Sequence, residues 1–327
     1  MESEPLLKIE DLHTVFNTDG GIVRAVDGID LSIKPGETLC LVGESGCGKS
    51  VTALSVMRLI QEPPGKIARG HIWFDGRDLA RLNASQMRRI RGNRISMIFQ
   101  DPMTSLNPVL TLGRQVAEVF QLHQGLSKND ALDSAVEMLR KVRLPDPEKR
   151  IREYPYQISG GMRQRVMIAI ALACSPVLVI ADEPTTALDV TIQAQILELM
   201  NDLKKDLNTS ILLITHDLGV VAEMAEQVAV MYAGKIVEIA DVLQLFDEPA
   251  HPYTEGLMAA IPKIDEPVSA DKILQTIPGT VPSLLNLPAG CAYRDRCSRA
   301  FDRCAENSPP LFEVSRGHKV RCWLYDK

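Results

Sequence analysis

The octapeptide Gly43-Glu44-Ser45-Gly46-Cys47-Gly48-Lys49-Ser50 constrains this chain more than any other stretch. It fits G-x-x-x-x-G-K-[ST], in which glycines let the backbone wrap a phosphate with its amides aimed inward. The apolar run Thr38 to Val42 before it reads as a strand. The stretch from Val51 to Ile60 after it reads as a helix, whose N-terminal dipole favours the same anion. Lys49 is expected to reach the β- and γ-phosphates, and Ser50 to ligate Mg²⁺. A strand–loop–helix of this kind belongs to an open α/β sheet. Two further continuous apolar runs, 177–181 and 211–215, suit a parallel sheet covered on both faces. Between them Ile192, Ile196, Leu199, Met200, Leu203 and Leu207 form one helical stripe, completing a βαβ unit.

A second group of residues speaks to the same chemistry. The run VLVIA ends in Asp182-Glu183, placing two carboxylates at the carboxyl end of a strand, where open α/β sheets bind ligands. Asp182 would serve the Mg²⁺ shell, and Glu183 would act as general base on an attacking water. In Ile158-Ser159-Gly160-Gly161-Met162, Ser159 reads as the N-cap of a helix, and its glycines let a phosphate approach closely. Two phosphate-binding turns in one chain suggest a dimer, with each nucleotide between the glycine loop of one subunit and the serine turn of the other.

Composition limits the alternatives. The 327 residues are 45% apolar and 24% charged, which excludes a disordered or collagenous chain. The longest apolar stretch, Val166 to Ala181, is broken at Ser175-Pro176, so a spanning helix is not expected. No secretory signal is read at the N-terminus, and the expected compartment is the cytosol. Net charge is −6, a poor start for a nucleic-acid binder. Short strands are predicted over Leu6 to Phe16, Val23 to Ile33, Gly70 to Asp75 and Ile95 to Phe99. A polar helical pattern follows from Thr111 to Arg143, its apolar face being Leu132, Val136, Leu139 and Val142. From about Ala233 the pattern weakens, and the Pro- and Gly-rich residues 262–290 read as an extended connection.

In order along residues 6–240, these features resemble the ATP-binding subunit of an ABC transporter. The matching segments are the glycine loop, Gln100 in IFQDPMTSLNP, the signature ISGGM, VLVIADE, Ala187-Leu188-Asp189 and His216 in LLITHD. The signature departs from the common LSGGQ at Ile158 and Met162. The resemblance implies an α/β P-loop ATPase core with an antiparallel β-subdomain and a helical subdomain of about 101–170. It makes Gln100 and His216 catalytic partners of Glu183, with Gln100 also near Mg²⁺ and His216 on the γ-phosphate. It offers Phe16 as the residue stacking on adenine, with a core aromatic as the alternative.

His251-Pro252-Tyr253-Thr254, the segment 277–291 and DPMTSLNP (101–108) resemble the oligopeptide/dipeptide branch of ABC importers. The expected domains are then 1–245, nucleotide-binding, and 246–327, a C-terminal extension. Implied partners are a related F-type ATPase subunit, two membrane permease subunits and, indirectly, an extracytoplasmic peptide-binding protein, at the cytoplasmic face of the membrane. Importers of nickel or oligosaccharide, and soluble ABC ATPases of DNA repair or translation, are the alternatives.

The extension holds four of the seven cysteines: Cys291, Cys297, Cys304 and Cys322. Disulfides are disfavoured in a reducing cytosol, and the close Cys pairs usual for structural zinc are missing. A [4Fe–4S] cluster tolerates varied spacing and is a feature of the resembled branch; zinc and free thiols are the other readings. From Gly290 onward eight Lys/Arg face five Asp/Glu, whereas the preceding residues hold 28 against 37. Arg294, Arg296, Arg299, Arg303 and Arg321 are expected to offset the charge of such a cluster.

Overall fold

The computed structural model describes residues 4–186, 188–261 and 276–326. Ala187 of the 187–189 motif, and 262–275 of the expected connection, lie outside the described residues. The chain divides into two compact units, the first made of Met1–Leu6, Ile33–Thr38 and Arg81–Ile214. The second is made of Leu7–Ser32, Leu39–Ala80 and Thr215–Lys327.

In the first unit, the strands Ile95–Ile98, Leu178–Asp182 and Ser210–Thr215 run parallel, with Ala181 paired to both Ile98 and Leu213. The last two are buried at every residue, which is why they read as unbroken apolar runs. Helix Val190–Leu207 buries Ile196, Leu197, Leu199, Met200 and Leu203, close to the expected stripe. The polar stretch from Thr111 to Arg143 is two helices, Leu112–Gln124 and Lys128–Lys141. Gly125, left-handed at φ 68°, ends the first, and the Ser127 hydroxyl caps the second by accepting from the Asp130 amide. Its buried face is Ala131, Ala135, Met138 and Leu139, with Leu132 and Val136 only half-buried. Leu139 and Val142 of the predicted face are fully buried, whereas at its N-terminal end the buried positions are Ala131 and Ala135, one residue before the predicted Leu132 and Val136.

The second unit holds an antiparallel sheet in the order Gly21–Ile33, Leu7–Thr18, Gly65–Phe74, Arg77–Asp78. It also holds Thr38–Val42, which pairs in parallel with Gln227–Tyr232. Beyond Ala233 the sequence pattern weakens but the structure does not. Lys235–Asp241 pairs antiparallel with Gln227–Tyr232. The hairpin Phe312–Ser315 and His318–Val320 then pairs with Lys235–Asp241 through Glu238 and Ile239. The buried carboxylate of Glu238 accepts from the amides of Ala250 (2.7 Å) and His251 (2.9 Å), and lies 2.7 Å from His318 Nε2. Among the described residues, no helix is long and apolar enough to cross a membrane.

Candidate nucleotide site

In the second unit the wholly buried strand Thr38–Val42 delivers the chain into the glycine loop, and helix Lys49–Val56 leads it away. Gly43 and Gly48 have φ of 153° and 112°. A Cβ at Gly43 would lie 2.2 Å from the carbonyl oxygen of Met231, and one at Gly48 2.2 Å from that of Ala25. Only glycine fits either position. Lys49 is 5% exposed. Its ammonium donates to the carbonyls of Gly43 (2.7 Å) and Glu44 (3.1 Å), so it lies over the loop. Cys47 is buried beneath the loop, and burial pushes its thiol up; it fills space and is not a reactive thiol. Ser45 and Gly46 are exposed, while Ser50 and Val51 are half-buried at the start of the helix. Phe16 is half-buried on its strand, opposite Gly65 in the register, with its ring across that glycine. His216 is exposed just beyond the strand Ser210–Thr215, and the adjoining Asp217 caps helix Leu218–Met224.

In the first unit the strand Leu178–Asp182 ends on Asp182, a carboxylate only 6% exposed. Glu183 follows in a left-handed conformation, φ 47°, with its amide donating to Ile214 O at 2.9 Å. Left-handed backbone at a non-glycine residue is strain of the kind that collects at functional sites. The Oε2 of Glu183 accepts from Gln100 Nε2 and from Thr186 Oγ1, each at 2.9 Å. Gln100 and Glu183, 83 residues apart, are thus directly joined, a contact that motif order alone does not disclose. Ser159 caps helix Gly160–Leu172, its hydroxyl accepting from the Met162 amide at 3.4 Å. The two signature glycines have different reasons. A Cβ at Gly161 would meet Ile192 at 2.8 Å, whereas one at Gly160 would meet only Leu188 at 3.9 Å.

The extension contains residues that the sequence reading missed. Tyr253 accepts a 2.8 Å hydrogen bond from the Glu44 amide, and Arg296 grips the Glu44 carboxylate. The arginines expected to offset a cluster are otherwise engaged. Arg299 pairs with Glu255, and Arg303 pairs with Asp326 beneath the Trp323 ring. Arg321 donates to the carbonyls of Ile236 and Pro309, and Arg294 to those of Ala289 and Ala305.

Cys291, Cys297, Cys304 and Cys322 line one small cavity with His251 and Trp323. All four are free thiols. Burial pushes Cys291 up to about 11 and also raises Cys297 and Cys322. As the side chains stand, no group of three or more His, Cys, Asp or Glu among the described residues could hold a metal ion. The expected [4Fe–4S] ligand set is therefore not formed, although all four cysteines line the same cavity.

A family model described as "ABC transporter" matches residues 26–186, and one described as "Oligopeptide/dipeptide transporter, C-terminal region" matches residues 237–304. The oligopeptide transport ATP-binding protein AppD of Bacillus subtilis is 55% identical, over 98% of this chain and 97% of its own length. The probable peptide ABC transporter ATP-binding protein y4tR of Sinorhizobium fredii is 54% identical over 99% and 97%. Among solved structures, the dimeric post-hydrolysis ATP-binding cassette MJ0796 bound to ADP and Pi aligns with a TM-score of 0.65 at 27% identity. That alignment covers 72% of this chain and 98% of the cassette. With such agreement along nearly its whole length, the chain belongs to the ABC transporter ATP-binding proteins, in the oligopeptide/dipeptide branch.

Proposed function

We propose that this chain hydrolyses ATP to energise uptake of dipeptides and oligopeptides, as a peripheral subunit at the cytoplasmic face of the cell membrane. Relatives more than half identical over nearly their whole length are named oligopeptide transport ATP-binding proteins, which supports peptide as the cargo. The observation that carries the catalytic reading is the Gln100–Glu183 hydrogen bond, made by a carboxylate in left-handed backbone directly after the strand-terminal Asp182.

The roles follow from chemistry. Amides of the glycine loop beyond Glu44, through Val51, and the Lys49 ammonium would bind the phosphates, the Glu44 amide itself being held by Tyr253. Phe16 would stack on adenine. Ser50, Asp182 and Gln100 offer oxygen donors of the type that suits Mg²⁺, which when bound neutralises charge on the phosphates. Glu183, with its Oε2 oriented by Gln100 and Thr186, takes the proton of the attacking water. His216 would contact the γ-phosphate. Ser159, Gly160 and Gly161 would present their helix N-terminus to the nucleotide of a second ATP-binding subunit; the exposure of Ser159 and Gly160 supports this.

The reading assigns 1–245 to the nucleotide-binding domain and 246–327 to the extension. Its partners are an F-type ATPase subunit and two permease subunits, with a peptide-binding protein engaged indirectly and no nucleic acid. What supports a [4Fe–4S] cluster is the gathering of four cysteines around one cavity; ligation would require them as thiolates.

Glu183→Gln tests the catalytic assignment. It removes the base and keeps the hydrogen-bonding shape. Steady-state ATP hydrolysis should fall by about 100-fold or more, with nucleotide binding retained. Unchanged turnover would reject Glu183 as the base.

A further inference from the structure

A carboxylate inside a phosphate cradle is electrostatically misplaced. Glu44, the second residue of the glycine loop, brings a negative charge to the loop that is to receive a triphosphate. In the second unit that charge is matched from the extension. Arg296 Nη1 lies 2.6 Å from Glu44 Oε2, and Nη2 lies 3.0 Å from Oε1, a bidentate pair. The Arg296 side chain is 5% exposed, and that of Glu44 is 29% exposed.

The guanidinium is itself held on every side. Its Nε donates to Pro278 O at 2.9 Å and its Nη2 to Ile277 O at 3.4 Å. The rings of Tyr232 and Tyr293 flank it at 5.8 and 5.9 Å, within reach of a cation–π interaction. Tyr253 packs against both rings at 4.7 and 5.4 Å, and its phenol oxygen accepts from the Glu44 amide. Amide, carbonyl and carboxylate of Glu44 are thereby all committed: the amide to Tyr253, the carbonyl to Lys49 and the carboxylate to Arg296. Two of these three anchors come from the extension.

We propose that the C-terminal extension is a positioning element of the nucleotide site, in which Arg296 neutralises and orients Glu44 so that the glycine loop accepts a triphosphate. Arg296 acts through Glu44 and is a positioning residue. The arrangement makes affinity for nucleotide depend on the fold of the small cysteine-lined lobe, since Arg296 lies in the turn between Cys291 and Cys297. The inference rests on the ATPase reading above and deepens it.

The experiment is equilibrium binding of magnesium mant-ATP to the full chain and to Arg296→Met, Glu44→Gln and the double variant, with melting curves on each. Arg296→Met should weaken binding by about five-fold or more, the lower end of typical coupling between sites. Glu44→Gln should bind at least as tightly as the wild type. The double variant should return to within about two-fold of wild type, because the unmatched carboxylate is gone. Arg296→Met that binds like the wild type overturns the proposal. So does a double variant as weak as Arg296→Met, since Arg296 would then act through the fold alone. If Arg296→Met does not fold, the double variant decides by the same criterion. A wild-type chain that fails to bind mant-ATP defeats the ATPase reading, and this proposal with it. Wild-type binding with all variants alike defeats this proposal only.

Discussion

At the scale of single residues, the glycine loop separates positions that look alike in sequence. Gly46 and Gly48 both have positive φ, 79° and 112°, but a Cβ at Gly46 meets nothing within 4 Å, whereas one at Gly48 runs into a backbone carbonyl. Gly46→Ala should cost about 1 kcal/mol, the ordinary penalty of left-handed backbone. Gly48→Ala should cost about 3 kcal/mol and abolish nucleotide binding. Denaturant unfolding and mant-ATP titration of the two variants check this; equal losses would refute the distinction. The residue types of the cradle are plain in the sequence because phosphate chemistry demands them locally. The Tyr253 and Arg296 contacts are not, because nothing short-range ties position 296 to position 44. Arg296 stood among five basic residues whose proximity to four cysteines suggested a different charge for them to balance.

Secondary-structure elements were legible in proportion to how strongly burial patterned them. The strands at 178–182 and 210–215 are continuous apolar runs and emerge where expected. The helical break at Gly125 was concealed because residues on both sides share polar composition. Lys235–Asp241 was concealed for a different reason: it carries Glu238 at its centre, a charge at 0% exposure. That carboxylate is tolerated because two amides and a histidine meet it. Glu238→Ala would leave those amides unsatisfied in the interior. It should destabilise by about 3–5 kcal/mol, lowering the melting temperature by roughly 10 °C. Glu238→Gln, which keeps one acceptor, should fall between the two. A melting curve for Glu238→Ala that matches the wild type would rule this strut out.

For the whole molecule, the order of motifs sufficed for fold and activity, since each motif carries its own local chemistry. Metal content was less legible, since it depends on side-chain convergence that spacing does not encode. The [4Fe–4S] reading predicts iron and acid-labile sulfide in roughly equal amounts, about four of each per chain, after anaerobic purification; zinc without sulfide ends it. Chain connectivity has a consequence of its own. Thr38–Val42, the strand that supports the glycine loop, takes its parallel partner from Gln227–Tyr232. The loop's anchors at Tyr253 and Arg296 come later still. A nascent polypeptide therefore displays its glycine loop long before the strand and side chains that hold it have been made, and on the proposal above its affinity for nucleotide rises by about five-fold once Arg296 is in place.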